Sequence, residues 1–189
     1  MGARRDKLVL RSPGQVAALG SPVRFRIVDI LSLQGAASAR EIAGRAGRSV
    51  TSIYYHLRIL RKVGIIEEGE TRGAGRRAEK VYRLRAERLV IDPKRRSADY
   101  RKALADNCAA LLRRAGRDYR IAAESPEIRL DGEERDLMIR RLVLRPGRQG
   151  LARLNRLLDR ISALADRSGG EEEPFALTIV MSRLPESDR

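Results

Sequence analysis

Residues 38–66 of the chain read SAREIAGRAGRSVTSIYYHLRILRKVGII, and this stretch decides the fold of the first half. Ser38 and Glu41 have the spacing of a helix capping box, and Gly47 is placed to end that helix. Ser49 is placed to cap the helix that follows. A helix, a short turn that contains glycine and a second helix are the sequence outline of a helix-turn-helix.

The second helix of this stretch has one apolar face and one polar face. Steps of about 100° per residue from Ile53 place Leu57 and Leu60 beside it, toward the core. The opposite side carries Thr51, Tyr55, Arg58 and Lys62. Tyr54 falls on one shoulder of the helix and His56 on the other, nearer the core. We therefore expect the three neighbouring rings not to form a cluster, and Tyr55 to point outward.

A basic hairpin follows the second helix. The segments GIIEEGE (64–70) and EKVYRL (79–84) are strand candidates, and TRGAGRR (71–77) lies between them. Its glycines permit a tight tip, and its arginines give that tip positive charge. This is the sequence pattern of a wing.

Residues 12–85, roughly 40% of the chain, resemble the winged helix-turn-helix of ArsR-type bacterial transcription regulators. The resemblance is carried by SPVRFRIVDIL (21–31), by the stretch 38–66 and by EEGETRGAGRRAEKVYRL (67–84). In that family the segment that ends here in HLRIL is the recognition helix, and the hairpin is the wing. The resemblance implies a dimeric regulator, commonly a repressor, that binds double-stranded DNA.

The recognition helix is therefore expected to enter the DNA major groove. The predicted contacts to base edges come from Ser49, Thr51 and Tyr55, and the predicted contacts to phosphates from Tyr54, Arg58 and Lys62. The predicted wing contacts come from Arg72, Arg76 and Arg77. The alternatives are a solvated helix face and a solvated hairpin tip.

The charge distribution agrees with an anionic partner for the first half. Residues 1–96 hold 22 Lys and Arg against 9 Asp and Glu, whereas residues 97–189 hold 18 against 16. The excess positive charge of the chain thus lies almost entirely beside the helix-turn-helix.

The second half predicts a small α+β lobe. Ser97 is placed to cap a long helix with an apolar stripe from Tyr100 to Ala115, and residues 146–167 form a second amphipathic helix. Strand-like runs occupy residues 128–130, 137–144 and 175–181. The predicted fold class is mainly α with a small β component: a winged helix-turn-helix domain at 12–90 and an α+β dimerisation or effector domain at 97–184.

Soft-metal sensing is not expected, because the chain has one cysteine, Cys108, and one histidine. The acidic turn at 131–136 offers ligands for a hard cation, although a solvated turn is the preferred interpretation. For His56 a packing or backbone-bonding role is preferred, with a phosphate hydrogen bond as the alternative. No cofactor, metal site or catalytic residue is predicted, since the chain has neither a phosphate-binding glycine loop nor a nucleophile elbow.

The sequence thus predicts a cytoplasmic homodimer that binds a roughly palindromic operator, with a small-molecule effector as a further partner and no membrane association. The alternative is a winged-helix protein that attaches to DNA non-specifically and whose second lobe binds a small ligand or another protein. An enzyme is the least favoured interpretation.

Overall fold

The computed structural model describes residues 5–73, 75, 78–165 and 174–184. Its described elements are β1 (Arg5–Leu10), α1 (Pro13–Leu19), α2 (Pro22–Gln34), β2 (Ala36–Ser38), α3 (Ala39–Ala46), α4 (Val50–Lys62), β3 (Ile66–Arg72), β4 (Glu79–Leu84), β5 (Ala86–Ile91), α5 (Ala98–Ala123) and α6 (Gly147–Ala165). They fall into two compact units. The first unit holds the described residues up to Arg114 and those from Thr178 onward, and the second holds those from Ala115 to Leu177.

The helix boundaries of the helix-turn-helix confirm the predicted capping signals. The backbone N–H of Ser38 donates to Oε2 of Glu41 at 2.6 Å, and the N–H of Glu41 donates to the Ser38 hydroxyl oxygen at 3.3 Å. Gly47 ends α3 in the left-handed region at φ +60°, which glycine adopts without a Cβ clash. The Ser49 hydroxyl oxygen accepts the N–H of Ser52 at 3.3 Å and caps α4.

The core of the first unit forms where α2, α3 and α4 meet. The predicted inward face of α4 is confirmed, because Ile53, Leu57 and Leu60 are at most 1% exposed. They belong to one apolar cluster with Ile27 of α2 and Ile42 of α3. Each fully buried aliphatic side chain of this kind stabilises a fold by about 1.5–3 kcal/mol. The buried face fixes the rotation of α4 and so determines which of its residues face solvent.

The predicted hairpin is also present. β3 and β4 pair antiparallel, from Ile66 opposite Leu84 to Arg72 opposite Glu79, and β2 adds a third strand beside β4. Ala74, Arg76 and Arg77 lie outside the described residues. The hairpin therefore extends from the end of α4 as a wing.

A parallel strand pair joins the start of the chain to the segment after the wing, and the sequence analysis did not predict it. β1 pairs with β5, for example Leu8 with Leu89. Tyr100 of α5 bridges the ends of the two strands. Its hydroxyl donates to the Leu10 carbonyl at 2.6 Å and accepts the N–H of Asp92 at 3.0 Å.

This contact corrects the predicted role of the first turns of α5. Tyr100 was expected on a stripe available for helix pairing, but it is 1% exposed and lies in the core of its own chain. The tyrosine ring offers both an apolar body and a hydroxyl, so it fits a site between two strand ends better than an open helix face. The predicted cap is confirmed, since the Tyr100 N–H donates to the Ser97 hydroxyl oxygen at 3.3 Å.

The described part of the second half contains the two predicted helices, α5 and α6, but not the predicted strands. Residues 128–130, 137–144 and 175–181 are neither helix nor strand. A strand requires a ladder of backbone partners. At the predicted turn between 128–130 and 137–144, the Asp136 N–H donates to the Arg129 carbonyl at 2.9 Å, and the turn is otherwise held by side chains. The Arg129 guanidinium binds Asp136 and Glu134, each at 2.9 Å, so two carboxylates of the acidic turn are already paired.

Candidate DNA-binding surface

The outward side of α4 carries an exposed row of side chains. The tyrosine rings remain largely in solvent, with Tyr54 49% and Tyr55 57% exposed. Thr51, Arg58 and Lys62 are also exposed. Within the described part of the chain, neither Arg58 nor Lys62 forms a side-chain ion pair, so both cations are available to an anionic partner.

Ser49 lies at the start of this surface and is also the N-cap of α4. Its oxygen accepts the N–H of Ser52, which satisfies one of the free donors at the helix N-terminus. The hydroxyl proton can still be donated, because a serine hydroxyl has one donor in addition to its acceptor lone pairs.

His56 lies between the exposed surface and the core. Its ring meets the Tyr55 ring edge to face, with centroids 5.1 Å apart and an interplanar angle of 75°. The sequence did not indicate this contact between Tyr55 and His56. Nδ1 of His56 is buried and has no hydrogen-bond partner in the described residues, so a backbone-bonding role for that atom is not seen. Burial lowers the pKa of His56, and the nearby charges of Arg24 and Arg48 lower it further.

The wing is held against α3 by two ion pairs. Arg72 donates to Oε1 of Glu41 at 3.2 Å, and Nε of Arg40 lies 2.9 Å from Oε1 of Glu79. Arg72 was predicted only as a DNA contact, and its partner in the described structure is Glu41. Arg76 and Arg77 lie outside the described residues, so their positions remain predictions.

Glu41 links the helix-turn-helix to the wing through its two oxygens. Oε2 accepts the backbone N–H of Ser38, and Oε1 accepts Arg72. The Ser38 N–H is the largest influence that lowers the pKa of this carboxyl group, and the charge of Arg72 acts in the same direction. The sequence indicated the cap of α3 but not the wing contact, because no local spacing relates residues 31 positions apart.

Two further observations limit the chemistry of this surface. No group of three His, Cys, Asp or Glu in the described parts of the chain is arranged to hold a metal ion. Of the helices in those parts, none is both long and apolar enough to cross a membrane.

Residues 19–69 match a sequence-family model described as a helix-turn-helix domain. The match spans α2, α3 and α4, the three helices that build the exposed row and its supporting core. No curated protein matches the chain at a significant level.

Solved structures similar to the chain include several transcription regulators. One is the homodimeric winged helix-turn-helix DNA-binding domain of a possible ArsR-family regulator from Mycobacterium bovis, with 22% identity over 58% of this chain and 84% of that one and a TM-score of 0.31. Another is a possible transcriptional regulator for arsenical resistance, with 26% identity over 60% and 98% and a TM-score of 0.32. A third is NadR in complex with 4-hydroxyphenylacetate, with 15% identity over 82% of both chains and a TM-score of 0.34.

The fold and the family match define a winged helix-turn-helix protein of the α+β class. The helix-turn-helix that the sequence predicts is thus confirmed for residues 19–69.

Proposed function

We propose that the protein is a sequence-specific, ArsR-like repressor that binds a roughly palindromic operator as a homodimer in the cytoplasm. The exposed row on α4 carries this proposal. It presents hydroxyl groups, aromatic rings and two unpaired cations on one side of a helix whose other side is locked into the core. An α-helix of this kind fits the major groove of B-DNA.

Residues near the start of α4 are the proposed base readers. Thr51 and Tyr55 combine a hydroxyl group with apolar surface, which suits contact with a base edge and a thymine methyl group. The Ser49 proton is the third polar contact. Tyr54, Arg58 and Lys62 are the proposed phosphate contacts, because Tyr54 lies at the side of the row and the two cations lie farther along the helix.

The wing is proposed to bind the adjoining minor groove or its phosphates. Arg76 and Arg77 are the main candidates for this contact. Arg72 is the weaker candidate, since contact with a phosphate competes with its bond to Glu41. If that bond persists, Arg72 positions the wing and the other two arginines meet the DNA.

Dimerisation is proposed to occur through the second half. Its apolar residues are exposed in the single chain, for example Leu157 at 46% and Leu164 at 66% on α6. Exposed apolar stripes of this type mark interaction surfaces. A twofold dimer would place two recognition helices about one turn of DNA apart, which is the spacing that a palindromic operator requires.

Binding of a dimer to promoter DNA would block polymerase, which is the basis for proposing repression rather than activation. We further propose a small-molecule effector as the signal that releases the protein, and no catalytic activity. The second candidate function is non-specific attachment to DNA, with specificity residing in a partner of the second half. The large positive excess of the first half supports this alternative as well.

The experiment that separates these functions is a titration of the protein with its own upstream intergenic DNA, in the presence of excess unrelated duplex. Specific recognition predicts saturable binding that survives the competitor. Loss of all binding on addition of competitor would overturn sequence-specific recognition of that DNA and favour charge-driven attachment.

Once an operator is known, two neighbouring tyrosines offer a matched test of the roles on α4. Tyr55→Ala should reduce discrimination between operator and unrelated DNA by about 1–3 kcal/mol, because a base contact is lost. Tyr54→Ala should weaken binding to both duplexes equally, since a phosphate contact carries no sequence information. An equal loss on both duplexes for Tyr55→Ala would make Tyr55 a backbone contact.

A further inference from the structure

An open cleft of about 690 Å³ lies in the first unit, between α1, the α1–α2 turn and the first turns of α5. Small residues form much of its lining, among them Gly14, Ala17, Gly20 and Ala103. Its volume is within the range of about 300–1,000 Å³ that is usual for small-molecule sites. The cleft is therefore large enough for a metabolite-sized ligand.

Two arginines line this cleft without a carboxylate partner in the described residues. Nε of Arg24 donates to the Ala18 carbonyl at 2.5 Å and one Nη donates to the Ala17 carbonyl at 3.3 Å. A guanidinium group has five N–H donors, so further donors of Arg24 are unused. Burial lowers the pKa of Arg24, which reflects the cost of dehydrating a charge that no anion compensates. Arg113, on α5, is the second arginine.

Asn107, also on α5, lines the same cleft. Its side-chain oxygen is buried and has no hydrogen-bond partner in the described residues. Buried acceptors without a donor are rare in folded proteins, so a donor supplied by a ligand would satisfy this oxygen.

The acidic groups of the cleft do not cancel this preference. Asp106 is occupied, since its Oδ2 lies 2.7 Å from Nζ of Lys102. Asp99, in the first turn of α5, is the remaining carboxylate of the lining. Arg24 and Arg113 together therefore leave the cleft with a positive excess.

We propose that this cleft is the effector site of the regulator, and that it binds a small organic carboxylate that also carries a hydroxyl or amino group. The carboxylate would bind the guanidinium groups of Arg24 and Arg113, as charge-assisted hydrogen bonds of this kind are strong and directional. The hydroxyl or amino group would donate to the Asn107 oxygen once the side-chain amide turns toward the cleft, because that oxygen is buried in the unliganded chain.

A physical link connects this cleft to α4. Arg24 is on α2, which packs against α4 in the core of the first unit, and its charge lowers the pKa of His56 on α4. An anion bound to Arg24 would reduce the positive potential beside the recognition helix, and so weaken its attraction for DNA phosphates. This regulatory step rests on the proposed DNA-binding function, whereas ligand binding in the cleft does not.

The binding test uses the full-length protein without DNA. Isothermal titration would be performed with lactate, mandelate and 3-aminobenzoate, and with mandelamide as the neutral counterpart of mandelate. We expect at least one acid to bind in a one-to-one ratio per chain, and mandelamide to bind at least about tenfold more weakly than mandelate if mandelate is the ligand. The proposal is overturned if none of the three acids binds at concentrations up to about 10 mM. A dissociation constant of that size corresponds to a binding free energy of only a few kcal/mol.

Variants on α5 locate the site. Arg113→Gln and Asn107→Ala should each weaken acid binding by about tenfold or more. Arg117→Gln is the matched control, because it removes the same charge from an exposed position of the same helix that does not line the cleft. Equal affinities for all three variants would place the ligand elsewhere and overturn the assignment. Asn107→Ala removes a buried oxygen without a partner in the described residues, so the melting temperature of the unliganded variant should be unchanged or higher. This control shows that weaker binding does not result from unfolding.

The regulatory step has two readouts. Saturation with the bound acid should weaken operator affinity at constant salt by about tenfold, within the usual range of allosteric coupling. It should also raise the pKa of His56, whose single imidazole signal in the NMR spectrum can be followed without interference, because Arg24 would no longer repel the proton while Arg48 still would. Acid binding without either change would overturn the effector role. If the protein binds no operator at all, the proposed function fails, while the titration and the α5 variants still test the cleft.

Discussion

The two halves of the molecule use helices of similar amphipathic character in different ways. On α4, Leu57 and Leu60 are at most 1% exposed, because α2, α3 and the wing cover them. On α6, Leu151, Leu157 and Leu164 are 42%, 46% and 66% exposed. The difference shows that an apolar stripe predicts a helix and the face that tends to be buried. It does not predict which surface packs against that face.

The largest expected effect tests this difference directly. Leu60→Ala should lower the free energy of unfolding by about 2–5 kcal/mol, because it leaves a cavity in a closed core. Leu157→Ala removes the same atoms from a half-exposed site, and in the monomer it should cost less than about 1 kcal/mol. Urea unfolding at several protein concentrations measures both variants.

The concentration dependence decides what covers α6. If Leu157→Ala becomes costly only at concentrations where the protein is a dimer, the stripe on α6 is an interface between two copies. A cost that matches that of Leu60→Ala at every concentration would show that Leu157 is buried in the single chain, as Leu60 is.

The sequence predicted the parts of the first half that depend on local signals. The capping box of Ser38 and Glu41, the left-handed Gly47 and the Ser49 cap each act over three or four residues, so their spacing determines the geometry. The buried face of α4 follows in the same way from helical periodicity. These features placed Thr51, Tyr55, Arg58 and Lys62 on the outward side, where the structure also places them.

The missed features are contacts between residues far apart in the chain. The hydroxyl of Tyr100 binds the carbonyl of Leu10, 90 residues earlier, and Arg72 binds Glu41 across 31 residues. No periodicity encodes such partners. The predicted strands at 137–144 and 175–181 failed for a related reason, since alternation indicates that a segment could be a strand and does not supply the neighbouring strand.

A second prediction concerns the Tyr100 contact, which ties α5 to the β1–β5 pair. Tyr100→Phe keeps the ring and removes the hydroxyl, so the buried Leu10 carbonyl loses its side-chain donor. The carbonyl still accepts the Asp92 N–H at 3.2 Å, so we expect the free energy of unfolding to fall by about 0.5–1.5 kcal/mol, the usual contribution of one hydrogen bond. Tyr119→Phe, on the same helix and only half-buried, is the control and should change it by less than about 0.5 kcal/mol.

Hydrogen exchange would show which elements this substitution destabilises. In Tyr100→Phe, the amide protons of β1 and β5 should exchange faster, while those of α4 should retain their protection. Equal acceleration in all of these elements would show that the contact supports the whole first unit rather than the attachment of α5.

The smallest expected effect concerns His56, the point where the core of the first half meets its exposed surface. Its folded pKa is lowered by burial first and then by Arg24 and Arg48, whereas the unfolded value is about 6.5. Below pH 6.5 the unfolded chain therefore binds more protons than the folded one. The contribution of His56 to the free energy of unfolding is fully present above pH 6.5. It is lost as the pH falls from 6.5 toward the lowered folded pKa. His56→Gln removes this titration, so between pH 7.5 and 5.5 the variant should lose less stability than the parent protein in urea unfolding.

Arg48→Gln should reduce the difference between the folded and unfolded pKa of His56, because it removes one of the two charges that repel the proton. Parallel pH profiles for the parent and His56→Gln would mean that the imidazole is as well hydrated in the folded protein as in the unfolded chain, and that Nδ1 finds a hydrogen-bond partner in solution.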